Sequence, residues 1–139
     1  MNVSKHMEKK LIDEIRFVRG NMVHTNNPSE KLYYFSAVFG IANRIINFEY
    51  DPEILFLNQV TQLTYNMINA RLAALAGGQE AGISIPEGIF PKMEESLEKL
   101  ANAIEQKQEI YSILQHLIHL AYTTTGNGYY MYQKGLIKI

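Results

Sequence analysis

Two histidines in the last third of the chain are the side chains best spaced for chemistry. His116 and His119 are three positions apart, so on a helix they share a face that also includes Ser112. Two imidazoles at this spacing could ligate a metal, but a zinc site needs a third or fourth ligand. The Glu-x-x-His pairing of carboxylate-bridged bundles is absent, because Ile113 precedes His116 at that position. The sequence therefore predicts a polar helix seam and no metal site.

The sequence lacks the residue patterns that other common reaction chemistries need. The chain has no cysteine, which excludes disulfides, thiolate metal sites and a cysteine nucleophile. It shows neither a Ser-His-Asp pattern nor a Walker phosphate loop. We interpret Gly77-Gly78 and Gly126-Asn127-Gly128 as stops at helix C-termini, where the dipole is negative and disfavours phosphate. The sequence thus predicts no catalytic residue and no cofactor.

Composition is typical of one globular domain. The chain has 139 residues, of which 47% are apolar, enough for a buried core and too many for a disordered chain. Its formal net charge of −1 disfavours a nucleic-acid partner or a membrane surface. The charged segment 1–10 is unlike a signal peptide, and the charge-free stretch 110–133 falls short of the roughly 20 apolar residues that a membrane span needs. We expect a single cytoplasmic domain, residues 1–139, without a membrane partner.

Capping residues mark the bounds of the first two predicted helices. The first should run from about Ser4 to Arg19, because Gly20-Asn21 then offers a left-handed stop. The second begins at Asn27-Pro28, an N-cap followed by proline in the first turn, and must end before Asp51-Pro52. The apolar stripe of the first helix consists of Met7, Leu11, Ile15, Val18 and Met22.

The third predicted helix is poor in charge. It should open at Asp51 and continue to about Ala76, where Gly77-Gly78 ends it. No charged residue lies between Glu53 and Arg71, and neutral amides repeat there at helical spacing: Gln59, Gln62, Asn66 and Asn69. We interpret this pattern as a helix covered on most sides; a polar ligand groove is the alternative.

A loop of about ten residues, 77–86, follows the third helix and is long enough to be mobile. Ser84 and Glu87 have the spacing of a capping box. Because proline disrupts a helix interior, Pro91 predicts a turn over residues 86–90 and a main helix that starts at Pro91.

The apolar pattern of the main helix has one interruption. It keeps a single helical phase up to Ala121, broken only by Lys107. Two interpretations stay open: one long helix over 91–125, or two helices separated by a tight kink near Gln106–Gln108. The tail after Gly126 is expected to be irregular, a small hairpin or an arm on a neighbouring subunit.

These elements predict an all-α fold. Each amphipathic helix must bury its stripe against another helix, and the connections are short, so an antiparallel four- or five-helix bundle is expected.

Charged residues make up only 19% of the chain and are unevenly distributed. Residues 5–19 carry eight and residues 87–109 carry nine of the 27 charged side chains. The second group is expected to form an exposed ion-pairing face from Lys92, Glu94, Glu95, Glu98 and Lys99. We expect the charge-poor remainder to be covered more fully than a monomer of this size allows, which predicts a homo-oligomer.

Short segments and the helix order carry a family resemblance. Asp51-Pro52-Glu53 opens an uncharged helix, and the segment 83–87, Ile-Ser-Ile-Pro-Glu, introduces an acidic amphipathic one. His119-Leu120-Ala121, followed by Thr123, is similar to a His-Leu-Ala-Arg-Thr segment. Over about residues 31–128 the chain resembles the ATP:corrinoid (cobalamin) adenosyltransferases, helical bundles that usually assemble as trimers. The resemblance implies such a bundle and favours a trimer.

This chain departs from that family at its charged motifs. The family's Thr-Arg-x-Gly-Asp-x-Gly loop is missing, and its arginines and glutamate are replaced by Tyr122, Gly126, Asn127, Tyr129 and Tyr130. Neutral side chains cannot hold a triphosphate as the bidentate fork of arginine does. The resemblance therefore implies an oligomeric bundle without adenosyltransferase activity, which either keeps a small-molecule groove at the subunit junctions or serves only as a scaffold. The candidates for that groove are His119, Tyr122, Asn127 and Tyr130.

The end of the first helix supports an alternative function. The segment from Phe17 to His24 resembles the Arg-x4-6-His motif of HEPN domains, which are small helical RNases and nucleotidyltransferase partners. The resemblance implies that Arg19 would steady phosphate charge and that His24 would act as general base or acid. Gly20 stands where that family usually has a polar residue.

Overall fold

The computed structural model describes residues 1–78 and 85–139, which form six helices and no strand. Their bounds are α1 Lys5–His24, α2 Pro28–Phe48, α3 Pro52–Ala76, α4 Ile89–Glu105, α5 Tyr111–Tyr122 and α6 Gly126–Gln133. The all-α prediction is confirmed. None of these helices combines the length and the apolarity that crossing a bilayer requires.

Five of the helices close into a ring around one core. Helix α1 packs against α2 and α4, α2 packs against α3, and α5 lies between α3 and α4. Every helix of the ring contributes side chains with an exposed fraction of 1% or less, among them Leu11, Phe35, Leu57, Leu97 and Leu114. Helix α6 lies outside the ring and packs against α5.

Neighbouring helices of the ring are antiparallel with one exception. Arg16 pairs with Glu105 at 3.0 Å and Arg19 pairs with Glu98 at 2.8 Å, so residue numbers rise along α1 as they fall along α4. At the other side, Phe56 stacks on Tyr111 with ring centroids 5.5 Å apart. Both rings lie near the N-termini of their helices, so α3 and α5 run parallel. A ring of five helices cannot alternate direction throughout, and this seam is where the alternation fails.

The end of α1 corrects a predicted boundary. The helix passes through Gly20 and Asn21 and ends at His24, five residues beyond the predicted end at Arg19. Glycine costs a helix interior about 1 kcal/mol relative to alanine. Met22, which completes the apolar stripe, is fully buried here, and burial of a side chain of this size contributes about 1.5–3 kcal/mol. Tertiary burial therefore overrides the local stop signal.

The predicted bounds of α2 and α3 are confirmed. The Asn27 side chain accepts hydrogen bonds from the amides of Ser29 and Glu30 at 2.9 and 3.2 Å. Asp51, which is only 2% exposed, caps α3 in the same way by accepting from two amides of its first turn at 2.8 and 3.2 Å. Each cap is followed directly by proline. The two helix starts are thus fixed by local chemistry that the sequence displays.

Helix α4 begins two residues earlier than predicted, at Ile89 rather than Pro91. The predicted turn is present at Glu87 and Gly88, and Gly88 adopts φ +77° directly before the helix. Pro91 is tolerated because it lies in the first turn, where amide groups need no partner within the helix. The predicted capping residue Ser84 lies outside the described residues.

The predicted main helix is divided in two, as the second of the two interpretations expected. Lys107 adopts φ +60°, and the amides of Lys107 and Gln108 bond back to the carbonyls of Ile104 and Ala103. This pair of bonds around a left-handed residue is the Schellman arrangement that ends helices. The interruption of the apolar pattern at Lys107 therefore marks the end of α4.

The C-terminal tail corrects two predictions. It forms the helix α6 rather than an irregular tail or a hairpin, and Gly126 begins this helix instead of ending the previous one. Thr125 supplies the N-cap, with its hydroxyl oxygen accepting from the amide of Gly128 at 3.0 Å. Gly128 is buried against the carbonyl of Tyr122, an approach that only a residue without a Cβ permits.

Helix α3 buries two polar groups that find no hydrogen-bond partner among the described residues, Asn58 Nδ2 and Thr64 Oγ1. Thr61, one turn before Thr64, differs because its hydroxyl donates to the carbonyl of Leu57 at 3.0 Å. A buried polar group without a partner lowers stability by about 1–3 kcal/mol.

Replacing Thr64 with valine, which has nearly the same shape, is therefore expected to raise the free energy of unfolding by about 1 kcal/mol. Urea denaturation followed by circular dichroism measures the change. Thr61→Val is the matched control, and it should be neutral or destabilising because the hydroxyl of Thr61 is already bonded. An equal gain in both variants would show that the missing hydrogen bond is not the cause.

Candidate functional site

Two of the four residues suggested by the adenosyltransferase resemblance lie in contact. The Asn127 side-chain amide donates to the hydroxyl of Tyr122, joining the start of α6 to the end of α5. Tyr130 is 52% exposed and lies beneath the ammonium of Lys134, which is 5.5 Å from its ring centroid. His119 is exposed on α5. The structure thus brings Tyr122 and Asn127 together, and it engages Tyr130 with Lys134.

This region offers hydroxyls, amides and aromatic faces rather than positive charge. No lysine or arginine occurs between residues 110 and 133, so α5 and α6 contain neither. Lys134 directly follows α6. A triphosphate carries several negative charges and is normally held by arginines, lysines or a metal ion. The chemistry of these helices therefore suits a neutral polar or aromatic ligand.

The structure does not bring Arg19 and His24 together. The Arg19 side chain donates to the carbonyl of Glu94 at 3.1 Å and pairs with the carboxylate of Glu98, which ties α1 to α4. His24 is the last residue of α1, which extends past the predicted end at Arg19. Five residues on a helix correspond to a rotation of about 140°, so the two side chains leave different sides of α1.

The predicted ion-pairing face of α4 is divided between two roles. Glu95 pairs with Lys99 at 3.0 Å along the exposed side of the helix, as predicted. Glu94 instead pairs at 2.9 Å with Lys31 of α2, and both side chains are largely buried. Glu95 and Lys99 thus lie on the outer side of α4, whereas the pair of Glu94 and Lys31 joins α4 to α2.

The groove between α4 and α5 is a candidate site that the sequence did not indicate as a whole. It has a volume of about 330 Å³ and is called the α4–α5 groove below. Its lining consists of Lys92, Glu95, Ser96, Lys99, Ser112, Ile113 and His116. The helical pattern placed Ser112 and His116 on one face, but the α4 residues join them only because α5 folds back against α4 at the Lys107 turn.

His116 is a titratable group of this groove whose pKa is shifted by its surroundings. Partial burial lowers the pKa of His116, and the positive charges of His119, Lys92 and Lys99 lower it further, whereas Glu95 acts in the opposite sense. The neutral imidazole is therefore favoured near neutral pH. Within the described chain no three histidine, aspartate or glutamate side chains converge closely enough to hold a metal ion.

A second groove lies on the outer face of α2 and α3. It has a volume of about 290 Å³ and is lined by Tyr33, Ser36, Ala37, Phe39, Gly40 and Tyr65. Phe39 stacks on Tyr65 with ring centroids 5.5 Å apart. In the amide stripe of α3, Gln59, Asn66 and Asn69 are exposed and Gln62 is half-buried. The amides thus face solvent, not a neighbouring helix.

Comparisons with known proteins provide no relative on which to base a function. No protein-family model, curated protein or solved structure matches this chain. The adenosyltransferase resemblance therefore rests only on the helix order and short motifs, and the HEPN resemblance on one short motif.

Proposed function

We propose that this protein is a homo-oligomeric helical-bundle scaffold of the adenosyltransferase-like type that does not transfer adenosyl groups from ATP to corrinoids. The observation that supports the assembly is the composition of one outer face, formed by α2 and α3. The exposed aromatic and aliphatic side chains of these two helices include Tyr33, Tyr65, Leu72 and Leu75.

The contrast with the opposite face supports the same proposal. Helices α1 and α4 carry ion pairs across their contact and along their exposed sides. On α3, Leu72 and Leu75 are 56% and 53% exposed, and no charged residue lies between Glu53 and Arg71. Patches of exposed apolar residues on soluble proteins commonly mark interaction sites, and a second copy of this chain is the partner proposed for this one.

The absence of phosphate-binding charge on α5 and α6 supports the second part of the proposal. The resemblance favours a trimer and places a small-molecule groove at the subunit junctions. Tyr122, Asn127, Tyr130 and His119 are the residues proposed for it. The hydrogen bond between Tyr122 and Asn127 would orient one hydroxyl and one amide toward a neutral polar ligand.

Introducing a negative charge into the proposed interface is expected to dissociate the assembly. Tyr65→Glu and Tyr33→Glu should each shift the mass measured by light scattering after size exclusion toward the monomer, because an unpaired carboxylate would be buried at the contact. Phe17→Glu is the control, since Phe17 is 67% exposed on α1. A wild-type protein that is monomeric at high concentration would contradict the proposal, as would dissociation by Phe17→Glu alone.

The proposed lack of adenosyltransferase activity has an independent test. The wild-type protein is expected to form no adenosylcobalamin from ATP and reduced cobalamin, and ATP should leave its melting temperature unchanged because a ligand stabilises only what binds it. Neutral corrinoids and nucleosides form the remaining arms of the same thermal-shift screen. Turnover of ATP would overturn this part and leave the assembly proposal intact.

A further inference from the structure

We propose that the α4–α5 groove binds a small organic anion that carries an apolar group. This site is separate from the proposed assembly face, because its lining residues lie only on α4 and α5, whereas that face is formed by α2 and α3. The proposal rests on the convergence of two lysines, an imidazole and an apolar side chain in one cavity.

The lysines of the groove are placed to act together. Lys92 and Lys99 are seven residues apart on α4, which puts them on the same side of the helix about 10 Å apart along its axis. His116 approaches from α5, and Ile113 provides an apolar wall. The volume of about 330 Å³ is at the lower end of the range found for small-molecule sites, about 300–1,000 Å³.

The charge of the groove favours an anion. Two lysines and one glutamate give a formal charge of +1 when His116 is neutral. Glu95 already pairs with Lys99, but both side chains are about two-thirds exposed. Exposed ion pairs of this kind are weak, so an anionic ligand can take the place of the Glu95 carboxylate at Lys99. Lys92 has no such partner along α4, and it is half-buried at the mouth of the groove.

Anion binding is expected to be coupled to the protonation of His116. The charged groups that act on this imidazole are Lys92, Glu95 and Lys99 from α4 and His119 from its own helix. A bound anion stabilises the protonated imidazole and therefore raises the pKa of His116. By reciprocity, affinity for the anion must increase as the pH falls through that pKa.

Benzenesulfonate is a suitable probe because it joins an aromatic ring to a negative charge that does not titrate near neutral pH. Titration of the full isotope-labelled chain at constant ionic strength, followed by NMR, should give saturable shifts of the His116 ring and of the amides that line the groove. Binding should be weaker at about pH 7.5 than at about pH 5.5, since histidine titrates in this interval. Inorganic sulfate, which lacks the apolar group, should bind more weakly.

Two variants and a control separate this site from general attraction to a positive surface. Lys92→Gln is expected to weaken binding about fivefold, and His116→Asn should remove most of the pH dependence. Lys9→Gln should bind as the wild type does, because Lys9 lies on α1 and pairs with Asp13. Shifts that do not saturate, an unchanged affinity in Lys92→Gln, or equal affinity for sulfate would overturn the proposal, whatever the oligomeric state proves to be.

Discussion

Replacing Phe35 with alanine is expected to remove a large part of the stability of this protein. Phe35 lies on α2, which packs against both α1 and α3, and its side chain is fully buried. Truncation of a buried phenylalanine loses its transfer free energy and leaves a cavity, which together amount to about 3–5 kcal/mol. Because domains are stable by only about 5–15 kcal/mol, the variant should unfold at a much lower urea concentration.

The control for this prediction uses the same residue type on the surface. Phe17→Ala removes an equal number of atoms from a helix, but Phe17 is 67% exposed, so the free energy of unfolding should change by less than about 0.5 kcal/mol. Urea denaturation of both variants and the wild type gives the two differences directly. Comparable losses in the two variants would contradict the placement of Phe35 in the core.

Replacing Gly128 with alanine is expected to detach α6 from the rest of the protein. A Cβ at this position would lie 1.7 Å from the carbonyl oxygen of Tyr122 and 2.4 Å from its carbonyl carbon. Both are backbone atoms, so the overlap is relieved only if the chain between α5 and α6 moves. We expect a local cost of at least about 2 kcal/mol, which corresponds to amide exchange about thirtyfold faster in α6.

A neighbouring glycine provides the matched control for Gly128→Ala. A Cβ at Gly126 meets no atom within 4 Å, so Gly126→Ala should keep α6 in place. Hydrogen exchange followed by mass spectrometry can compare the two variants over residues 126–134. The Tyr122 to Asn127 hydrogen bond should also be lost in Gly128→Ala, because it spans the same corner. Protection of α6 equal to that of the wild type would contradict the close approach.

Helix starts could be predicted from the sequence where one short segment contains all the residues that determine them. Asn27-Pro28 and Asp51-Pro52 each supply an N-cap and a proline within two residues, so the starts of α2 and α3 are local properties. The end of α4 was only one of two interpretations left open by the sequence, although Lys107 interrupts the apolar pattern where the chain turns.

Two predicted helix stops were wrong because packing within the bundle overrides the local glycine signal. Gly20 resembles a helix stop, yet the burial of Met22 by the rest of the bundle carries α1 past it. The Gly126-Asn127-Gly128 segment also resembles a stop, and only the packing of Gly128 against Tyr122 shows that it begins a helix. Met22 already belongs to the apolar stripe and Thr125 is a possible N-cap, so the sequence holds competing signals at both glycines, and packing decides between them.

The candidate sites could be predicted only in part for the same reason. Ser112 and His116 share a helix face that periodicity reveals, but Lys92 and Lys99 join them through the fold of α5 onto α4. Tyr122 and Asn127 were proposed from a motif and do lie in contact. Arg19 and His24 were proposed from another motif and do not meet, because α1 continues without a break between them.

The position of α5 between α3 and α4 determines when the bundle can close during synthesis. Helix α5 fills the gap between α3 and α4, although it is made after both of them. A chain that has emerged from the ribosome only as far as Gln106 therefore has an open trough lined by the core sides of α3 and α4. Until residues 111–122 emerge and close this trough, it leaves the core sides of α3 and α4 open to chaperones and to other nascent chains.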